Sequence, residues 1–213
     1  MTDLDFFFDP VCPWAWITSR WVAEVQELRD YKVSWKFISL KILNQDKMDY
    51  ASMPAGYKEV HAAGTSGLRV AAKARSAAGN DAVAKVYTAL GTSLHNRQER
   101  ELFVADIEGH IAGLLSQAGL PVEWAAAVHD ETFDRLIADE TALALERAGK
   151  DVGTPIITFN PSGLKEASFF GPVISTIPRG EEATKLWDAI ETIATASGMA
   201  ELKRSLRARP SFD

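Results

Sequence analysis

One stretch near the amino terminus, Phe6-Phe7-Phe8-Asp9-Pro10-Val11-Cys12-Pro13-Trp14, does most to limit the folds open to this chain. Leu4 to Phe8 is a short apolar run closed by Asp9-Pro10, the pattern of a buried strand ended by a turn. After Pro13 the apolar residues Trp14, Ile17, Trp21, Val25 and Leu28 recur at spacings of three and four. That period predicts one buried helix face. Val33, Trp35 and Phe37 then alternate with Ser34 and Lys36, which predicts a half-buried strand. Strand, helix, strand in that order gives a βαβ unit, with its first loop at the carboxyl end of the first strand.

From about Leu43 to Lys150 no period-two alternation of useful length occurs, and helical periods take over. Val83, Val86, Tyr87, Leu90 and Leu94 mark one helix; Val104, Ile107, Ile111, Leu114 and Leu115 mark another. Phe133, Leu136 and Ile137 begin a third that ends before Gly149, and Gly119-Leu120-Pro121 and His129-Asp130 read as turns between helices. Strand character returns at Pro155 to Phe159. The turn Asn160-Pro161-Ser162-Gly163 and a second short strand from Ala167 to Phe170 complete a hairpin. A helix with the apolar face Ala183, Leu186, Trp187, Ile190 and Ile193 follows. A last short helix is expected around Met199, Leu202 and Leu206, before a frayed end at Arg209-Pro210-Ser211. The fold class is therefore α/β, a discontinuous domain over residues 1–43 and 151–213 around an all-helical insertion over 44–150.

A chain of 213 residues with 46% hydrophobic and 24% charged residues can bury a core without staples. The formal charge of -6 argues against a nucleic-acid partner, since phosphate binding needs a basic surplus or stripe. The basic tail residues Lys203, Arg204, Arg207 and Arg209 read as a solvated face. No apolar stretch reaches the length of a membrane span. The acidic start Met1-Thr2-Asp3-Leu4-Asp5 lacks the basic, then apolar pattern of a secretory signal, so the expected location is cytoplasmic.

The single cysteine, Cys12, narrows the chemistry. One thiol makes no internal disulfide and no cysteine-rich zinc site, so any sulfur chemistry uses a partner's sulfur. Cys12 falls where the first helix begins. Free N–H groups and the helix dipole favour an anion there, and a thiol so placed becomes a nucleophile near neutral pH. Pro13 suits the first helical position, where its missing N–H costs nothing. Against this stands the reading of Cys12 as a small buried hydrophobe. The four histidines, His61, His95, His110 and His129, lie in the helical region without metal-like spacing and read as surface or satisfied core residues, with no metal expected. Trp21 reads as core packing.

Asp9-Pro10-Val11-Cys12-Pro13-Trp14 after a first strand, a long helical insert, and Gly153-Thr154-Pro155 before the third strand resemble the DsbA-like branch of the thioredoxin superfamily. Phe8-Asp9-Pro10, Trp16 to Trp21, Ser39-Leu40, Ile42-Leu43-Asn44, Phe170-Gly171-Pro172-Val173, Ile177 to Ala183 and Leu202-Lys203-Arg204 are similar to the actinobacterial mycothiol-dependent nitroreductase group. The resemblance implies a thioredoxin-like sheet with the helical insertion. It implies Cys12 as nucleophile of a Cys-Pro-Trp-Cys motif, but Ala15 stands where that family has its resolving cysteine. Cys12-Pro13-Trp14-Ala15 is thus a monothiol version of the motif, and a mixed disulfide on Cys12 needs an external thiol for release.

By the same resemblance Pro155 matches the family's cis-proline, and Thr154 would present backbone groups to a bound thiol or peptide. Trp14, Asn44 and Tyr57 match its substrate pocket, Trp14 by stacking on a flat substrate. Asn44 also reads as an ordinary turn residue. The expected activity is a thiol-dependent oxidoreductase with no tightly bound cofactor. Its co-substrate would be a low-molecular-weight thiol, mycothiol or glutathione, and its substrates nitroaromatic or other electrophiles. Two other readings remain open: an enzyme like kappa-class glutathione transferases or hydroxychromene-carboxylate isomerases, and a non-catalytic binding protein of the same fold. The oligomeric state is left open.

Overall fold

The phenylalanine run forms strand β1 (Leu4–Phe8), every residue of it buried, in a computed structural model that describes residues 3–45 and 47–213. Helix α1 (Pro13–Arg29) and strand β2 (Val33–Phe37) follow, and β2 alternates between buried and half-buried positions as its sequence does. Leu4 N donates to Lys32 O at one end of the pair and Ile38 N to Phe8 O at the other. Both strands therefore run the same way, as a βαβ connection requires. The sheet order is β2-β1-β3-β4, with β3 (Ile156–Phe159) and β4 (Ala167–Phe170) antiparallel to their neighbours. Leu4 lies opposite Phe159 and Phe7 opposite Ile156, while Ile156 lies opposite Phe170. The hairpin turns where Gly163 N donates to Asn160 O at 2.9 Å, with Asn160 at a positive φ of 49° that asparagine tolerates.

The chain divides into two compact units. The first comprises Met1–Phe7, Pro13–Lys36 and Ala144–Asp213 and contains most of the sheet, α1 and helix α8 (Gly180–Thr195). Its core is aromatic. Trp21 stacks edge-on against Trp187 with ring centroids 5.1 Å apart, and Phe159 meets Trp187 at 5.5 Å. The polar end of Trp21 is satisfied, its Nε1 donating to Ala183 O at 2.9 Å. Arg147 donates to Asp5 at 2.8 Å and to Glu166 at 3.0 Å.

The second unit comprises Phe8–Cys12 and Phe37–Leu143. It holds α2 (Leu40–Asn44), α3 (Tyr57–Ala78), α4 (Asn80–Gly91), α5 (Arg100–Ala105), α6 (Ile107–Gln117) and the greater part of α7 (Asp134–Ala148). A π-helical turn, Thr92–Asn96, prolongs α4, and 3-10 turns span Tyr50–Ser52, Val122–His129 and Glu131–Phe133. Phe8 stacks on Tyr87 at 3.8 Å and meets Phe37 edge-on. Arg69 grips both Asp134 carboxylate oxygens at 2.6 Å and the Val128 carbonyl at 2.9 Å, joining α3 to the segment before α7. Arg75 donates to Glu140, whose other oxygen accepts from Phe37 N, both at 2.8 Å.

Three features differ from the sequence expectation. Helix α3, the longest, had no visible period. The helix expected across Val104 to Leu115 is broken at Asp106, whose carboxylate accepts from Gly109 N and caps α6. The last short helix does not form: Met199, Leu202 and Leu206 lie in irregular, exposed chain. Nothing buries their apolar face, and a helix that short is unstable without packing. Among the described residues no helix is long and apolar enough to cross a membrane.

Candidate functional site

Asp9 to Cys12 forms a tight turn between the end of β1 and α1, closed by Cys12 N donating to Asp9 O at 3.1 Å. Proline at position 10 suits the second place of such a turn. The Asp9 side chain then ties the turn down. Its Oδ1 accepts from Val11 N at 3.0 Å, and its Oδ2 accepts from Leu40 N, in the first turn of α2, at 2.8 Å. Cys12 is the single cysteine and is 4% exposed.

The rest of the second unit packs polar groups closely around this turn. Ser39 caps α2, pairs with Thr65 Oγ1 at 2.9 Å and receives support from Thr141, which accepts from Ser39 N at 3.0 Å. His95, in the π-helical turn, donates from Nε2 to the Pro10 carbonyl at 2.9 Å. A π turn shifts the helix register, which is how a side chain after Gly91 comes to reach this loop. His61 on α3 shares a 2.9 Å hydrogen bond between Nδ1 and the Tyr50 hydroxyl, and the Tyr57 ring tilts against it at 4.6 Å. Gly64 and Gly67 present bare backbone to the turn. A Cβ at Gly64 would come within 2.7 Å of Asp9 Oδ1, and one at Gly67 within 3.2 Å of the Pro10 ring.

Burial sets the ionisation of this cluster. Asp9 is wholly buried, which pushes its carboxyl up to about 7 although the Leu40 and Val11 N–H groups oppose the shift. His95 is driven down to about 4, by burial first, so it is neutral at physiological pH and Nε2–H is free to donate to Pro10. His61 is lowered by burial and by the Arg100 charge. Tyr50 is raised by burial and by the fields of Tyr57 and Asp9.

The residues singled out from sequence fall as follows. Pro13, Trp14 and Ala15 form the first turn of α1, where Trp14 is half-buried and Ala15 fully buried. Asn44 ends α2 and spends its Nδ2 on the Leu40 carbonyl at 2.9 Å. Tyr57 begins α3, half-buried. Cys12, Asn44 and Tyr57 share the second unit. Thr154 and Pro155 stand just ahead of β3 in the first unit, buried, with a cis bond between them; Gly171–Pro172 is also cis. Trp21 is core. Asp9 and His95 were not singled out. Asp9 reads in sequence as a turn former before proline, and His95 as one of several scattered histidines. The trace in the sequence was an ionisable residue directly after a phenylalanine-rich strand that already carries Asp5. Among the described residues no group of three or more His, Cys, Asp or Glu could hold a metal ion.

Residues 11–204 match the Rv2466c-like family, described as "Mycothiol-dependent nitroreductase Rv2466c". A curated relative, the uncharacterized protein Rv2286c of Mycobacterium tuberculosis, is 28% identical over 206 residues, covering 96% of this chain and 82% of its own. Among solved structures, a putative protein disulfide isomerase from Nitrosomonas europaea aligns with TM-score 0.58 at 13% identity, over 89% of this chain and 97% of that one. The cytosolic disulfide reductase DsbM from Pseudomonas aeruginosa aligns with TM-score 0.56 at 16% identity, over 88% and 98%. These two similarities show the fold, a thioredoxin-like sheet with a helical insertion.

Proposed function

This chain belongs to the Rv2466c-like family of mycothiol-dependent nitroreductases, and from that membership we propose that it is a reductase working through one protein thiol, Cys12, and a small thiol co-substrate. Thiol-dependent oxidoreductase chemistry follows from the family itself. The observation that carries the finer reading is the motif Cys12-Pro13-Trp14-Ala15, a sole cysteine directly ahead of α1 with alanine where a resolving thiol would stand. A structure of the similar DsbM with GSH, at TM-score 0.50 and 18% identity over 75% of this chain and 86% of that one, supports a small-thiol partner for this fold.

The proposed cycle balances with external thiol alone. Two-electron reduction of a nitro group to nitroso and water takes one electron and one proton equivalent from Cys12 and one from a mycothiol molecule. The two sulfurs join as a mixed disulfide. A second mycothiol thiolate attacks the mycothiol sulfur of that bond, freeing the Cys12 thiolate and leaving mycothiol disulfide. Trp14, half-buried, is proposed to stack on a flat electrophile, and Thr154 with Pro155 to offer backbone groups to the bound thiol. Asn44 would contribute through Oδ1, since Nδ2 is engaged, and Tyr57 through its half-buried ring.

The test is reduction of a nitroaromatic probe with mycothiol, and separately with glutathione, by the unmodified chain and Cys12→Ser. The expected result is turnover that depends on mycothiol and vanishes in Cys12→Ser. Turnover surviving in Cys12→Ser would point instead to activation of a bound thiol in the manner of kappa-class glutathione transferases.

A further inference from the structure

The carboxylate beside the thiol turn has no part in the cycle above, yet it is the most deeply buried acid near Cys12. We propose that Asp9 is a positioning residue for Cys12, its two carboxylate oxygens fixing the turn that carries the sulfur to the start of α2. The inference rests on the reading of Cys12 as nucleophile for its functional meaning, but its geometry is independent of that reading.

Three observations carry it. First, one residue holds the turn at three points. The Asp9 carbonyl accepts from Cys12 N, Oδ1 from Val11 N, and Oδ2 from Leu40 N in a separate segment. The residue that bears the sulfur and the one before it are therefore both fastened to Asp9. Second, only a carboxylate fits. An asparagine in the same pose accepts one N–H with its oxygen and sets its NH₂ against the other, donor to donor. Third, α3 makes room for the charge. Gly64 faces the carboxylate with no side chain, and a Cβ there would press on Oδ1 at 2.7 Å and on Val11 Cγ2 at 3.0 Å. Burying an ionisable group without a counter-ion is costly, so its retention calls for a task beyond packing.

The titratable groups about this turn are Cys12 on the loop itself, Tyr50, which feels the Asp9 charge, His61, bonded to Tyr50, and His95 on the Pro10 carbonyl, with the Arg100 charge bearing on both histidines. Tyr50 titrates above its ordinary value of 10.0, His61 below 6.5 and His95 at about 4. Among these groups Asp9 is the one whose carboxyl is pushed up to about 7.

The experiment is the rate of iodoacetamide alkylation of Cys12 from pH 5 to 9, read by intact mass, for the unmodified chain, Asp9→Asn and Gly64→Ala. The unmodified chain is expected to show an inflection near 7 besides that of the thiol. Asp9→Asn should erase it and change the rate several-fold, because loosening the turn alters both the thiolate fraction of Cys12 and the access of the reagent to it. Gly64→Ala, which leaves Asp9 in place but crowds it, should shift the inflection and move the rate in the same direction by less. A purely structural role would lower the melting temperature of both variants and leave the pH profile unmoved. Profiles that superimpose on the unmodified chain, for Asp9→Asn or, should that variant not fold, for Gly64→Ala, would overturn the inference. Alkylation needs no substrate turnover. An active Cys12→Ser protein would remove the proposed cycle without touching this result.

Discussion

In the unit that holds the sheet, the Asp5 carboxylate is buried against Arg147 at 2.8 Å, and Arg147 reaches on to Glu166. In the unit that holds the thiol turn, Glu140 is likewise buried against Arg75. Asp9, in that same second unit, is buried completely and accepts from two backbone N–H groups, and among the described residues no cation pairs with it. The paired acids are accounted for by structure alone, since each cancels a charge and joins two elements. The unpaired one is anomalous by that standard, and it sits at the only cysteine. A buried ionisable group without a counter-ion, beside the cysteine, is what the proposed positioning role for Asp9 calls for.

That contrast can be broken at several strengths. The largest expected effect is on pH-dependent stability. The folded carboxyl of Asp9 titrates at about 7 against 3.8 when free, so the folded state holds its proton longer than the unfolded state does. Between about pH 4 and 7 the unfolded state has fewer bound protons, and stability therefore falls as pH rises. The full loss is on the order of 4 kcal/mol. Urea unfolding of the unmodified chain at pH 5 and pH 8 should show the greater part of this fall, and Asp9→Asn should flatten it. Parallel curves for the two proteins would place Asp9 among the ordinary carboxylates.

Arg147→Met should cost somewhat less, about 3 kcal/mol at pH 7, because it strands the Asp5 carboxylate in the core. Unlike the Asp9 change it should leave the alkylation profile of Cys12 unaltered. A changed profile would mean that the paired and unpaired acids are not functionally distinct. The smallest effect is expected for Lys185→Ala on α8, which removes an exposed i,i+4 pair with Glu181. Its unfolding free energy should change by no more than about 0.5 kcal/mol.

The parts of the fold that announce themselves in sequence are those whose burial is done by large side chains. The phenylalanines of β1, the alternation Val33-Trp35-Phe37 and the Trp21 face of α1 all map onto the observed elements. Helix α3 did not, because its buried face is built largely from Ala63, Gly64, Gly67, Ala71, Ala72 and Ala74. Small residues let α3 approach the Asp9–Cys12 turn closely, and the same smallness hides the helical period. The tail misled in the opposite way: Met199, Leu202 and Leu206 have the right spacing but no partner surface. Cys12 stood out as a lone thiol just ahead of an expected helix start, and that is where it lies in the structure. Asp9 was not, since a residue that reads as a turn former gives no hint of being buried. His95 was hidden similarly, since a π turn and a long-range contact to Pro10 set its role.

The measurement that bears most directly on the account is the lifetime of the Cys12–mycothiol mixed disulfide in thiol-free buffer, followed by intact mass for the unmodified chain and for Ala15→Cys. With alanine at position 15 there is no internal thiol, so the adduct should persist until mycothiol is added. Ala15→Cys places a second thiol within bridging reach in the first turn of α1, and its adduct should collapse to an internal disulfide at once. Prompt loss of the adduct from the unmodified chain without added thiol would contradict the single-thiol mechanism.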